Sequence, residues 1–136
     1  MKKALTLALT AALFVAACET TGQLASQQAV EDYVAVSELE DVAEVRYRQQ
    51  LSQRYINDRY ILLQNRSGKY LVEFVTRCIE LRDNMRITPD IRHDANVIYA
   101  KFDTIRGCRI KKIYPVNDGQ AQELTTLGDA PGDSFE

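Results

Sequence analysis

The sequence predicts an α+β, β-rich domain: a small, mostly antiparallel sheet of four to six strands with one or two short helices. Three observations predict it. Short runs of alternating apolar and polar residues recur between Val42 and Tyr114. Turn residues separate them at Asn57-Asp58-Arg59, Asn65-Arg66-Ser67-Gly68 and Gly107. Helical signals stand at the two ends of that stretch, each behind a capping side chain, and the irregular stretch 78–95 has room for one further turn of helix.

In chain order, Ser26 is placed to cap a helix over 27–35, with Ala29, Val30 and Tyr33 on one side. Val45 and Tyr47 alternate with Arg46 and Arg48 as a first strand. Tyr55-Ile56 and Tyr60-Ile-Leu-Leu63 flank a tight turn, and a hairpin spans 60–76, with Tyr70, Val72 and Phe74 on one strand face and Leu71, Glu73 and Val75 on the other. The stretch 78–95 is irregular and carries Thr88-Pro89-Asp90, where proline fixes φ. A strand over Val97–Phe102 and a last strand over Cys108–Tyr114 follow. In the latter Ile113 falls off the alternation of Cys108 and Ile110, which predicts a bulge near Lys112. Asn117 is placed to cap a second helix carrying Ala121, Leu124 and Leu127, ended by Gly128.

The ends of the chain are of another kind. Met1-Lys2-Lys3 precedes fourteen uncharged residues, Ala4 to Ala17. As a helix that run would cover roughly 21 Å, short of a hydrocarbon core of about 30 Å. It reads as the apolar region of an export signal. It ends in Val15-Ala16-Ala17-Cys18, which resembles the lipobox of bacterial lipoproteins. That resemblance implies cleavage before Cys18 and lipidation of its thiol, so that two or three acyl chains anchor the protein firmly where one would not. Glu19 follows, where the inner-membrane retention signal of enteric bacteria has Asp; the resemblance therefore points to the outer membrane, with the domain facing the periplasm. The organisation expected is a signal peptide over 1–17, a lipidated tether over 18–28, one globular domain over 29–127 and a disordered tail over 128–136.

Charge is segregated. Residues 19–45 hold seven acids and no base, residues 46–112 fifteen bases and seven acids, and residues 113–136 five acids and no base. A basic body between acidic flanks can take an anionic surface such as lipid headgroups, lipopolysaccharide or a glycan, or the flanks can fold back and neutralise it. The second arrangement is favoured. Export argues against nucleic acid as a partner, and aromatic residues are sparse around the basic strand Arg109-Ile110-Lys111-Lys112.

Setting Cys18 aside leaves Cys78 and Cys108, for which only one intramolecular pairing exists. In an oxidising compartment these are expected to form a structural disulfide. A redox pair would stand as Cys-x-x-Cys, and a zinc site needs about four ligands where the chain offers two cysteines and the single His93. No metal and no cofactor is expected.

No catalytic set emerges. His93 sits in the polar stretch Ile91-Arg92-His93-Asp94 and reads as a surface residue; the five Ser residues form no Gly-x-Ser-x-Gly elbow. Asp103, behind a Phe102 that looks buried, is the carboxylate to watch, and is expected to end a strand or pair with Arg106 or Arg109. The candidate binding residues are Arg109, Lys111, His93 and Asp103.

Tyr70-Leu71-Val72 before Cys78, then Lys101-Phe102-Asp103, then Cys108-Arg109-Ile110 running to Ile113-Tyr114-Pro115-Val116, resemble a family of small exported bacterial proteins carrying a domain of unknown function. The resemblance covers roughly residues 45–118. It implies an exported domain with Cys78 and Cys108 paired, and no activity. The sequence thus predicts a non-enzymatic envelope lipoprotein that binds the membrane through its anchor and serves as a binding or structural module, meeting an envelope protein or an anionic envelope polymer. The alternatives are an inhibitor or regulator of an envelope enzyme, acting through a loop within 83–95, and an enzyme of unknown type.

Overall fold

The computed structural model describes residues 24–48, 50–82, 86–87, 89–90 and 96–128. The leader, Cys18 and the first part of the tether, His93 and the tail over 129–136 lie outside the described residues.

Helix α1 (Gln27–Val36) starts where expected, with the Ser26 hydroxyl accepting from Ala29 N at 3.1 Å and Val30 fully buried beneath it. Four long strands form the body: β2 (Leu51–Asn57), β3 (Tyr60–Asn65), β4 (Gly68–Phe74) and β9 (Cys108–Val116). Shorter pieces extend it: β1 (Glu44–Arg46), β5 (Arg86–Ile87), β6 (Pro89–Asp90), β7 (Val97–Tyr99) and β8 (Thr104–Ile105), with a turn of 3-10 helix over Ile79–Leu81. Helix α2 (Asp118–Thr126) closes the domain. The class is α+β and β-rich, as the alternation predicts.

Every strand pairing among the described residues is antiparallel. One sheet has the order β5-β2-β3-β4-β9-β8-β6, and β1 pairs with β7 in a second. The larger sheet is rolled up. Its edge strands β5 and β6 are consecutive in the chain: Ile87 pairs with Leu51 at one edge and Pro89 with Ile105 at the other. Two residues span at most about 7 Å, so the edges must nearly meet. A sheet curled this far has room inside only for side chains, and the helices pack outside.

Both faces of the sheet are therefore buried. Ile61, Leu63, Val72, Phe74, Ile110 and Ile113 face one core, which Val45 and Ile98 of the small sheet complete. Tyr60, Leu62, Leu71 and Tyr114 face the other, under Val30 of α1 and Ala121 and Leu124 of α2. This explains why Tyr60–Leu63 is an unbroken apolar run: all four residues are buried.

The bulge lies one residue from its expected position. Glu73 pairs with Lys112, but the next pair is Phe74 with Ile110, so Lys111 is the additional residue. The strand expected over Val97–Phe102 stops at Tyr99. Lys101 takes a positive φ of 72°, which turns Phe102 outward, and Phe102 is 67% exposed, not buried. Two residues with positive φ, Arg106 and Gly107, then make the two-residue turn between β8 and β9. The folded chain begins before residue 28: Ala25 is already buried and its carbonyl accepts from Asn57 Nδ2 at 3.0 Å.

Candidate functional site

The β2–β3 turn is held by one side chain. Asn57 Oδ1 accepts from Arg59 N at 2.8 Å and Tyr60 N at 3.0 Å, the Asx pattern that favours this residue in turns. The segment after β4 lies against the turn, with Cys78 N donating to Asp58 O at 2.6 Å and Phe74 N to Arg59 O at 2.9 Å. Asp58 and Arg59 are thereby presented beside Arg77 and Arg82.

Asp58 is the hub of what results. Its carboxylate accepts from the Tyr55 hydroxyl and from Nε and Nη2 of Arg77. It also accepts from Arg82 Nε at 3.2 Å and Nη2 at 2.8 Å. The Arg82 guanidinium lies 5.9 Å from the centroid of the Tyr55 ring. Asp58 is only 12% exposed, whereas Arg77 and Arg82 are 73% and 50% exposed. The Tyr55 hydroxyl, then Arg77 and Arg82, hold the Asp58 carboxyl well below the usual carboxylate range, because all three donate to its charged form. Burial, then the hydrogen bond it donates to Asp58, pushes the Tyr55 phenol up.

Arg59 adds a third guanidinium, and its Nε is buried with no hydrogen-bond partner among the described residues. The three arginines and Asp58 line a cavity of about 210 Å³, together with Asn57, Leu24 and Gln27. The cavity therefore opens where the chain enters the domain.

A second polar feature lies beneath α1. Glu73 on β4 is buried, and its Oε1 accepts from Lys111 Nζ at 2.9 Å. Tyr60, Tyr114, Val34, Ala35 and Glu31 complete a hollow of about 260 Å³. Burial, then the charges of Glu73 and Asp41, pushes the Tyr114 phenol up to about 12. Burial and Glu73 likewise raise the phenol of Tyr60. A wider groove of about 650 Å³ between the sheet and α2 is crossed by Lys69 and Asp118, 3.0 Å apart. Here an acid of the C-terminal flank does fold back onto the basic body.

Of the four candidate binding residues, the three that are described, Asp103, Arg109 and Lys111, form no shared site. Arg109 is exposed on β9. Lys111 is committed to Glu73. Asp103 is fully buried, and is corrected from a binding residue to an organiser of its loop: its Oδ2 accepts from Tyr99 N at 2.7 Å and its carbonyl from Ile110 N at 3.1 Å. The turn at Lys101 drives this carboxylate inward while Phe102 faces out. His93 lies outside the described residues, as does most of the loop over 83–95. Where that loop is described, its backbone pairs with β2 and β8, which ties its middle to the sheet edges.

Cys78 and Cys108 form a disulfide with Cα atoms 5.9 Å apart. Glu80 stands 3.6 Å from the Cys108 sulfur, but the two sulfurs are bonded to each other and offer no thiolate pair to a metal. The disulfide fastens to β9 the segment that carries Arg77 and Arg82.

Sequence reasoning missed Asp58, Arg59, Arg77, Arg82 and Glu73. Asn57-Asp58-Arg59 had been legible only as a turn. The available signals were the adjacency of Arg77 to a cysteine expected to be bonded, and the isolated acid Glu73 in the apolar run Tyr70–Phe74.

Residues 1–127 match the model of a family of unknown function (DUF6491). No curated protein and no solved structure matches the chain.

Proposed function

We propose that this chain, which belongs to the family of unknown function DUF6491, is a lipid-anchored protein of the bacterial cell envelope whose domain is a binding module and not an enzyme. The observation that carries this reading is the pairing of the cysteines. Cys78 and Cys108 close on each other. The third, Cys18, ends an apolar leader in Val15-Ala16-Ala17-Cys18. A disulfide that persists needs an oxidising compartment, and a cysteine after that leader is chemically suited to carry the anchor. The matched family span begins at Met1, so the leader lies inside it.

Binding is favoured over catalysis by where the charged groups stand. Asp103, the carboxylate best placed in the sequence for proton transfer, is buried and holds a backbone amide. The cavity beside the β2–β3 turn is lined by three arginines, and guanidinium is too weak an acid to serve as a proton carrier near neutral pH. On this reading the acyl chains hold the protein in the outer membrane facing the periplasm, and the domain meets an anionic envelope polymer or an envelope protein.

Metabolic labelling with a fatty acid, followed by mass spectrometry, tests it. The mature protein is expected to begin at Cys18, to carry the label and to fractionate with membranes, and Cys18→Ser to lose all three. An unlabelled protein that keeps residues 1–17 in the cytoplasm would overturn the reading.

A further inference from the structure

We propose that the cleft of Arg59, Arg77 and Arg82 is a binding site for a phosphate-class oxyanion. Three guanidinium groups surround one carboxylate there, so the cluster keeps two positive charges that Asp58 does not balance.

Asp58 positions without occupying. It takes Nε and Nη2 from each of Arg77 and Arg82, two of the nitrogens on a planar fork that carries five donors. The other donors of both forks are not committed to it, and the pairing fixes the plane in which they point. Such a preset fork matches the bidentate geometry of phosphate oxygens, which a flexible ammonium does not.

Arg59 supplies an independent observation. Its Nε is buried without a partner among the described residues. A buried charged donor left unpaired is unfavourable, and an anion in the cleft that the same residue lines would offset that cost through its charge. With about 210 Å³ available, the cavity admits a tetrahedral anion and part of the group that bears it.

Position narrows the source. Leu24 and Gln27 line the same cleft, and Leu24 is six residues from Cys18. Six residues reach at most about 22 Å. If Cys18 carries the anchor, an inference that rests on the proposed function above, headgroup phosphates lie within that reach. The chemistry that recognises a phosphodiester headgroup and a soluble phosphate is the same, and the two differ in which should bind more tightly.

The test is isothermal titration calorimetry on the full chain, purified in a neutral detergent, with two probes: inorganic phosphate and glycerophosphoglycerol, the deacylated headgroup of phosphatidylglycerol. Saturable binding of at least one probe is expected. It should weaken at least tenfold in the R59Q/R77Q/R82Q variant and several-fold in Arg59→Gln, which leaves the Asp58 pairs intact and so keeps the test valid if the triple variant misfolds. Arg109→Gln, an exposed arginine elsewhere, should bind as the parent does. Tighter binding of the diester would assign the source to lipid, and tighter binding of inorganic phosphate to a soluble ligand; either supports the site. No binding of either probe, or equal losses in Arg109→Gln and Arg59→Gln, would overturn it. Lipidation is scored separately: an unlipidated chain that binds phosphate removes the anchor and keeps the cleft, and a lipidated chain that binds neither probe does the reverse.

Discussion

The two charged clusters use the same ingredients and reach opposite ends. Under α1, one carboxylate meets one ammonium: Glu73 is 7% exposed, and Lys111 closes on it at 2.9 Å. Beside the β2–β3 turn, one carboxylate meets two guanidinium forks with a third alongside. The Glu73–Lys111 pair is neutral in itself and serves packing, and Glu31, which lines the same hollow, adds an acid and no further cation. The second cluster keeps unbalanced charge at an open surface. The difference teaches that the number of cations on a face says less about binding than the number of cations per carboxylate.

The disulfide bears on that comparison most strongly. Cys78 and Cys108 are 30 positions apart, and closing a loop of that size contributes about 3.7 kcal/mol in the loop-entropy model. Reduction is expected to lower the melting midpoint by well over 10 °C at about 4–8 °C per kcal/mol for a domain of this size. It should also weaken anion binding at the arginine cleft before global unfolding, because Arg77 and Arg82 flank Cys78, whereas the Glu73–Lys111 pair stands on paired strands. Calorimetry with and without dithiothreitol, combined with the phosphate titration, checks both.

Next in size is the one-to-one pair. Lys111→Met leaves a buried carboxylate without its cation, at a cost of about 1–3 kcal/mol. The full penalty of a deeply buried pair, about 3–5 kcal/mol, is not expected because Lys111 is half exposed and water can replace it. In the arginine cluster the pattern inverts: Arg77→Gln should move the denaturation midpoint far less than Lys111→Met and phosphate binding far more. Equal effects of both on stability would break the comparison.

Asn57→Ala is expected to cost about 1–2 kcal/mol, since it removes the Asx turn and the tie to Ala25. It should loosen the arginine cleft and leave the hollow under α1 intact, which urea denaturation alongside phosphate binding can measure.

The Asp58 cluster should also fail at the acid end of the pH scale, and the raised phenols of both clusters at the alkaline end. Asp58 is held low by Tyr55, Arg77 and Arg82. Its contribution is therefore present above the ordinary carboxylate value of about 3.9 and is lost as pH falls below it. Tyr114 is pushed up to about 12 by burial and Glu73. Its contribution is complete below the unfolded value of about 10 and is lost as pH rises from there towards 12. Denaturant midpoints measured against pH should fall at both ends, and Tyr114→Phe should make the alkaline limb shallower and leave the acid limb as it is, with Tyr60 and Tyr55 carrying the alkaline fall that remains.

Much of the fold was legible in the sequence because its signals are local. Ser26 and Asn117 cap the helices they precede. The hairpin turns fall at Asp58-Arg59 and Arg66-Ser67, and the misaligned Ile113 does mark a bulge. The short strands β5, β6 and β8 were not legible, since two residues give no periodicity and their pairing follows from the curl of the sheet. The arginine cleft was hidden for a related reason. Asp58 of the turn and Cys78 of the loop are joined by a backbone bond, a long-range contact that no spacing along the chain reports. Asp103 misled because its neighbour Phe102 was read by alternation, which ends at a residue with positive φ.

The most direct measurement of the unequal roles of the two clusters is a side-chain NMR titration of the full chain with inorganic phosphate, following the arginine Nε–H and lysine Nζ signals. The Nε–H signals of Arg59, Arg77 and Arg82 are expected to shift together and saturate, with Arg109 and Lys111 unmoved. Shifts of similar size at Arg109 or Lys111, or no shift at Arg59, would contradict the account.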